Sequence, residues 1–109
     1  MPWLLRGDEV LATLEVADSV ASRLRGLLGR DGLEGAFLIK PAASVHTIGM
    51  KFPIDVAYCG KDLRVLDCLT MKPNRVGVFR PHARCVIEAE AGAFERWALK
   101  RGDVLEIRP

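Results

Sequence analysis

Residues 45–59 read Val-His-Thr-Ile-Gly-Met-Lys-Phe-Pro-Ile-Asp-Val-Ala-Tyr-Cys, a polar corner followed by an apolar strand. Pro53 fixes its own φ, lacks a backbone donor and biases the preceding residue toward extended geometry, so it belongs at the mouth of a strand. We therefore predict a strand that begins at about Ile54. Its alternation places Ile54, Val56 and Tyr58 on one face, and Asp55, Ala57 and Cys59 on the other.

Asp55 is the charged side chain of this strand, and the predicted strand start puts it close to the turn that carries His46 and Met50. A carboxylate beside an imidazole can act as an acid and base pair if the two groups come within hydrogen-bond reach. Structural roles also fit both residues. Asp55 can accept hydrogen bonds from the amides of its own turn, and His46 can be a neutral, half-buried ring that donates to a carbonyl.

The chain before this stretch predicts a hairpin from Trp3 to Val16, a helix and a short buried strand at residues 36–39. Asp18 or Ser19 is the expected N-cap of the helix. Gly26 is predicted inside the helix, and Gly29 is predicted to end it as a left-handed cap residue. The apolar positions that recur at helical spacing are Val20, Leu24, Leu27 and Leu28.

The chain after Cys59 predicts a second hairpin, in which Gly60-Lys61-Asp62 connects to a strand over residues 63–71. A three-residue loop places Asp55 opposite Asp67, and two opposed carboxylates are unfavourable unless a cation or a proton lies between them. The pair is therefore functional, bridged by an arginine, or a sign that the true register differs. The same register places Cys68 opposite Ile54, away from Cys59.

The C-terminal part predicts a strand at 85–90, a helical turn at 93–99 that covers the sheet with Phe94 and Trp97, and a tight turn followed by a closing strand within 101–107. The whole chain then has about seven short strands, one main helix and one short helix. This pattern predicts a single α+β domain, residues 1–109, with a mostly antiparallel sheet that is curled or barrel-like.

Composition narrows the function classes. The 109 residues are half apolar and carry a net charge of +2, which is too small to predict nucleic-acid binding. Three cysteines without Cys-x-x-Cys spacing argue against a zinc site or a disulfide framework, and we expect no metal and no cofactor. With no run long enough to span a membrane and no visible leader, a cytoplasmic protein is expected. A mature exported form is the alternative.

The segment from Cys68 to Ile87 contains no acidic residue but carries several basic ones. A solvated basic loop is the simplest interpretation. The functional alternative is a site for a carboxylate, phosphate or other anion, which arginine recognises well. The basic residues of the segment are Lys72, Arg75, Arg80, His82 and Arg84.

Several motifs together resemble one family of small prokaryotic proteins, domain of unknown function 192. They are Arg23-Leu-Arg-Gly-Leu-Leu-Gly-Arg30, His46-Thr-Ile-Gly-Met50, Phe52-Pro-Ile-Asp55, Val86-Ile-Glu-Ala-Glu-Ala-Gly92 and Gly102-Asp103. The resemblance runs from about Ala12 to the C-terminus and implies a compact, largely β, α+β domain without an established reaction. Some members resemble this chain at Asp55 but carry an aromatic residue in place of His46, and many have a leader. The resemblance therefore favours Asp55 for a shared role.

Three functions are weighed on these features. The first is a non-enzymatic binding or accessory domain for an anionic ligand or partner, with His46, Met50, Asp55, Arg75, Arg80 and His82 at its rim. The second is a small hydrolase or isomerase that uses Asp55 and His46, with a metal version that adds His82. The third is protein interaction through Trp3 and Phe79, by a monomer or weak homodimer. We favour the first.

Overall fold

A computed structural model describes residues 2–109. Neither of its two α-helices is long or apolar enough to cross a membrane. A single 3-10 turn at Lys61–Leu63 follows the strand Ile54–Cys59. The elements in chain order are β1 (Trp3–Arg6), β2 (Glu9–Ala17), α1 (Val20–Arg25), β3 (Ala36–Ile39), β4 (Ile54–Cys59), β5 (Val65–Met71), β6 (Cys85–Glu90), α2 (Ala93–Arg96) and β7 (Glu106–Arg108).

The seven strands form one sheet in the order β5-β4-β6-β3-β2-β1-β7, which confirms the α+β class. Neighbouring strands are antiparallel except β2 and β3, which run parallel because the crossover that contains α1 joins them. The sheet is curled but not closed into a barrel. Its two edge regions nevertheless meet, because the Val65 amide donates to the Asp103 carbonyl at 2.8 Å and the Leu105 amide donates to the Leu63 carbonyl at 3.1 Å.

The sheet buries both of its faces, and β4 shows how. All six residues of β4 are buried, and the strand begins at Ile54 as predicted. One face, called the α2 face, packs Ala57 and Cys59 against Phe94 of α2. The opposite face, called the crossover face, packs Ile54, Val56 and Tyr58 against Leu27 and Met50. Side chains that neighbour each other along β4 therefore lie in two separate cores.

Helix α1 is shorter than predicted. Ser19 is the N-cap, its hydroxyl accepting from the Ser22 amide at 3.1 Å, but the helix ends at Gly26, where φ is +50°. Gly26 is therefore the end of the helix and not an interior residue. The predicted apolar face is also wrong: Leu24 is 77% exposed, whereas Leu27 is 3% exposed and enters the core from the loop. The helical spacing continued across a break that the glycine introduces.

The register of the β4–β5 hairpin also differs from the prediction. Five residues, 60–64, make the connection, with a register shift next to Cys59. Asp55 therefore lies opposite Thr70, and Asp67 lies opposite Tyr58, so the two carboxylates are not opposed. A longer connection with a 3-10 turn moves every pair along the strand, which explains the error.

The same register sets the cross-strand neighbours of the cysteines. Cys68 lies opposite Ala57, away from Cys59 as predicted, while Cys59 lies opposite Cys85 on β6. All three are free thiols, and Cys59 and Cys85 are buried. Cys85 is 2% exposed and therefore lacks the access that a nucleophile needs.

Candidate functional site

A cavity of about 110 Å³ opens on the crossover face between the C-terminal end of α1 and the corner at residues 44–50. Its lining divides into a buried floor and an exposed rim. The floor contains Leu27, Val45, Met50 and Glu88, and the rim contains Leu24, Arg25, Leu28, Ser44 and His46. The cavity therefore leads from solvent to the middle of the sheet.

Glu88 is the charged residue of the cavity floor. It lies in β6 between Phe37 of β3 and Val56 of β4, and it is 4% exposed. Within residues 2–109 no side chain or amide donates a hydrogen bond to its carboxylate and no cation pairs with it. Burial raises its pKa to about 7. A carboxylate in such a place needs a proton or a donor that enters through the cavity.

His46 stands at the rim with its ring exposed. The Ile48 amide donates to its Nδ1 at 3.3 Å, which leaves Nε2 as the nitrogen available to a ligand. The corner itself is fixed to the segment after β5. The Thr47 hydroxyl donates to the Lys72 carbonyl at 2.6 Å, and the Asn74 side chain accepts from the Gly49 amide at 3.0 Å. These bonds hold the cavity wall in place.

Two arginines give the cavity mouth a positive charge. Arg23 donates to the Asp18 carbonyl at 2.8 Å and more weakly to the Lys40 carbonyl at 3.4 Å, so neutral groups hold its guanidinium. Arg25 is exposed and forms no ion pair with any residue of the described chain. The cavity therefore combines a cationic mouth with a carboxylate at its floor.

Asp55 lies on the α2 face, on the other side of the sheet from this cavity. Its carboxylate accepts hydrogen bonds from the Thr70 hydroxyl at 2.6 Å and from the Gly92 and Phe94 amides at 3.0 Å each. The sequence predicted that Asp55 lies close to His46, and the structure shows that it does not. The structural role considered for Asp55, accepting hydrogen bonds from turn amides, is the one observed. The amides belong to the turn after β6 and not to the turn before β4.

The basic segment does not form one site with His46 either. Arg75 is exposed and donates to carbonyls of its own loop. Arg80 pairs with Asp67 at 2.9 Å and lies 4.5 Å from the centre of the Tyr58 ring. His82 is exposed in a separate cleft. In residues 2–109 no three His, Cys, Asp or Glu side chains converge, so His46, Asp55 and His82 do not form the metal site considered above.

Glu88 is the functional candidate that sequence reasoning missed. The alternation of residues 85–90 places it on one face with Val86 and Glu90, and alternation alone does not say whether that face is buried. Its burial follows from β6 lying between β4 and β3, with both faces of the sheet covered. The available signal was a carboxylate within the apolar run Cys-Val-Ile-Glu-Ala. Strand order is a long-range property, so the sequence did not indicate which strand would be central.

Known proteins resemble this chain along nearly its whole length. It is 29% identical over 106 residues to a UPF0127 protein of Pyrococcus furiosus, with 93% of this chain and 91% of that one covered. It is 31% identical over 98 residues to a UPF0127 protein of Pyrococcus horikoshii, with 85% of each chain covered.

Two solved bacterial structures share the fold. A protein of unknown function from Novosphingobium aromaticivorans has a TM-score of 0.79 at 21% identity, covering 96% of this chain and 82% of that one. A protein from Sinorhizobium meliloti, described as a candidate transcription regulator, has a TM-score of 0.79 at 19% identity, covering 96% and 90%. The family profile of DUF192, described as "Uncharacterized ACR", matches residues 4–107. The chain therefore belongs to the DUF192 family.

Proposed function

We propose that this protein is a non-enzymatic binding domain that holds a small polar ligand in the cavity above Glu88. One observation carries the proposal: a carboxylate that is 4% exposed faces a solvent-connected cavity without a donor from the described chain. An unpaired polar group in an apolar site lowers stability unless something completes its hydrogen bonds. A ligand that does so gains binding energy and removes that penalty.

The lining indicates the chemistry of the ligand. Glu88 favours an amine or a hydroxyl group, which can donate to a carboxylate. Arg25 at the mouth favours an anionic group, which keeps the predicted preference for anions but moves it from the basic segment to this rim. Leu27, Val45 and Met50 between these ends favour a short apolar part. A volume of about 110 Å³ restricts the buried part to a few non-hydrogen atoms, so short amino acids and hydroxy acids are the expected class.

An acid–base enzyme is the second candidate, because the pKa of Glu88 is raised to about 7. A general base works best when its pKa is near the operating pH, and His46 at the rim supplies an imidazole ring. This version replaces Asp55 of the predicted pair with Glu88. The exposed position of His46 and the absence of a bond between the two residues favour the binding function.

An amide NMR titration of the labelled protein tests the proposal, with glycine, alanine, lactate and ethanolamine as separate probes. We expect saturable shifts at residues 26–28, 44–50 and 87–89, which are lost in Glu88→Gln. Glu90→Gln is the matched control, because Glu90 is exposed on the same strand. Shifts that persist unchanged in Glu88→Gln, or no shift with any probe, would overturn the proposal. Conversion of a probe by the wild type but not by Glu88→Gln would support the enzyme.

Interaction with a protein partner stays a prediction. Trp3 and Phe79 are 45% and 62% exposed, in keeping with the apolar contacts that the sequence offered. Size-exclusion chromatography at two protein concentrations measures whether the chain is a monomer or a weak homodimer.

A further inference from the structure

A second cleft, of about 460 Å³, lies where the start of β5 meets the turn before β7, and it shares no residue with the Glu88 cavity. Four of the nine residues that line it are basic, and Asp67 is the one acidic residue. The base of the cleft is apolar. The basic lining residues are Arg64, Arg80, His82 and Arg101, and the apolar ones are Val65, Leu66 and Pro81.

Two of these arginines are held by carbonyls across the seam between the strands. The Arg64 Nη1 donates to the Gly102 carbonyl at 3.2 Å, and the Arg101 Nε donates to the Leu66 carbonyl at 2.8 Å. Backbone bonds fasten the same seam, since the Gly102 amide donates to the Val65 carbonyl at 2.8 Å. Each guanidinium is therefore positioned by a neutral acceptor that uses one of its five donors and none of its charge.

The charge balance of the cleft favours an anion. Asp67 pairs with Arg80 at 2.9 Å, which neutralises that pair. Arg64 and Arg101 form no ion pair within residues 2–109, so two fixed positive charges share the cleft. His82 adds an exposed ring that can donate a further hydrogen bond. A guanidinium that is already oriented binds an oxyanion at a low entropic penalty, because its planar donors match two oxygens at once.

We infer that this cleft binds the phosphate group of a small phosphorylated molecule, with Arg64 and Arg101 as the phosphate-binding residues and Val65, Leu66 and Pro81 as the surface for its organic part. The cleft is several times larger than a phosphate ion, and its apolar base suits a carbon skeleton. The inference is independent of the ligand proposed for the Glu88 cavity. Arg80 and His82 of the basic segment also line this cleft, whereas Arg75 does not.

Titration with inorganic phosphate and with phenyl phosphate, followed by amide NMR at constant ionic strength, tests this inference. We expect saturable shifts at residues 64–66, 80–82 and 101–102, and tighter binding of phenyl phosphate than of inorganic phosphate. We expect the affinity for phenyl phosphate to fall at least tenfold in Arg101→Ala and in Arg64→Ala. Arg101→Lys keeps the charge but loses the fork of donors, so it should be intermediate.

Arg75→Ala is the matched control, because it removes the same charge from an exposed loop outside the cleft. Its affinity for phenyl phosphate should stay within twofold of the wild type. Equal weakening by Arg75→Ala and Arg101→Ala would show a diffuse charge effect and overturn the site. Non-saturating shifts spread over the surface would also overturn it. So would an Arg101→Ala variant that binds each of the two probes as tightly as the wild type does. A dispersed spectrum for each variant confirms that the fold is retained.

Discussion

Asp55 on β4 accepts a hydrogen bond from the backbone amide of Phe94 at 3.0 Å, which ties this strand to a helix 39 residues later. Helix α2 has only four residues, Ala93–Arg96, and its N-cap residue, Gly92, offers no side-chain acceptor. Asp55 supplies the missing acceptor from another part of the chain and also binds the Thr70 hydroxyl on β5. One carboxylate thus joins β4, β5 and α2, and its role is to position the fold.

Replacement of Asp55 by alanine should therefore lower the free energy of unfolding without removing a ligand site. The change leaves the Gly92 and Phe94 amides without their acceptor, and we expect a loss of about 3 kcal/mol. Asp55→Asn keeps one carbonyl oxygen and should lose about half as much. Urea unfolding followed by tryptophan fluorescence measures both, since Trp97, one of the two tryptophans, contacts Phe94 with ring centres 5.5 Å apart. Wild-type stability in Asp55→Ala would contradict this role.

The faces of the strands were predictable from the sequence, but the contacts between distant segments were not. Alternation alone placed Asp55 and Ile54 on opposite faces, and the structure agrees. The proximity of His46 to Asp55 was inferred from their short separation along the chain. That inference failed because consecutive strand residues lie in different cores, and the corner at His46 covers the crossover face. Glu88 was missed because its burial depends on the position of β6 in the sheet.

Glu88 should make the stability depend on pH in a specific direction. Its pKa is about 7 in the folded protein and about 4.5 when exposed, so the folded state holds an extra proton between these values. Stability should therefore be greatest below about pH 4.5 with respect to this group and fall as the pH rises to 7. The full loss corresponds to about 3 kcal/mol, because one pKa unit is equivalent to about 1.4 kcal/mol.

Glu88→Gln removes this titration and should be more stable than the wild type at pH 8, by about 3 kcal/mol. At pH 4.5 the two proteins should differ by less than about 1 kcal/mol, because the wild-type carboxyl group is then protonated in the folded state and already about half protonated in the unfolded state. Chemical unfolding at the two pH values measures the difference. Glu90→Gln, which loses an exposed pair with Arg96, should shift stability by less than about 1 kcal/mol. An equal Glu88→Gln effect at both pH values would refute the assignment.

Tyr58 and Gly77 form a tight contact that a double-mutant cycle can measure. The Tyr58 hydroxyl is buried and has no hydrogen-bond partner in residues 2–109, so Tyr58→Phe should stabilise the protein by about 1 kcal/mol. A Cβ at Gly77 would lie 2.6 Å from that hydroxyl oxygen and 2.8 Å from the Val45 carbonyl oxygen. Gly77→Ala should therefore lower the free energy of unfolding by about 2 kcal/mol. The double variant should recover part of that loss, and strict additivity in urea unfolding would contradict the contact.

Substitutions of Leu24 and Leu27 can distinguish the observed short helix α1 from the longer helix that the spacing predicted. An amphipathic helix through residue 28 would bury both leucines, whereas the structure exposes Leu24 and buries Leu27 beside the Glu88 cavity. Leu27→Ala should then lower the free energy of unfolding by about 2–4 kcal/mol, because it opens space in the core. Leu24→Ala should change it by less than about 0.5 kcal/mol. Urea unfolding of the two variants under identical conditions measures this contrast. Comparable losses in both would mean that the chain continues as a helix past Gly26, with Leu24 packed against the crossover face.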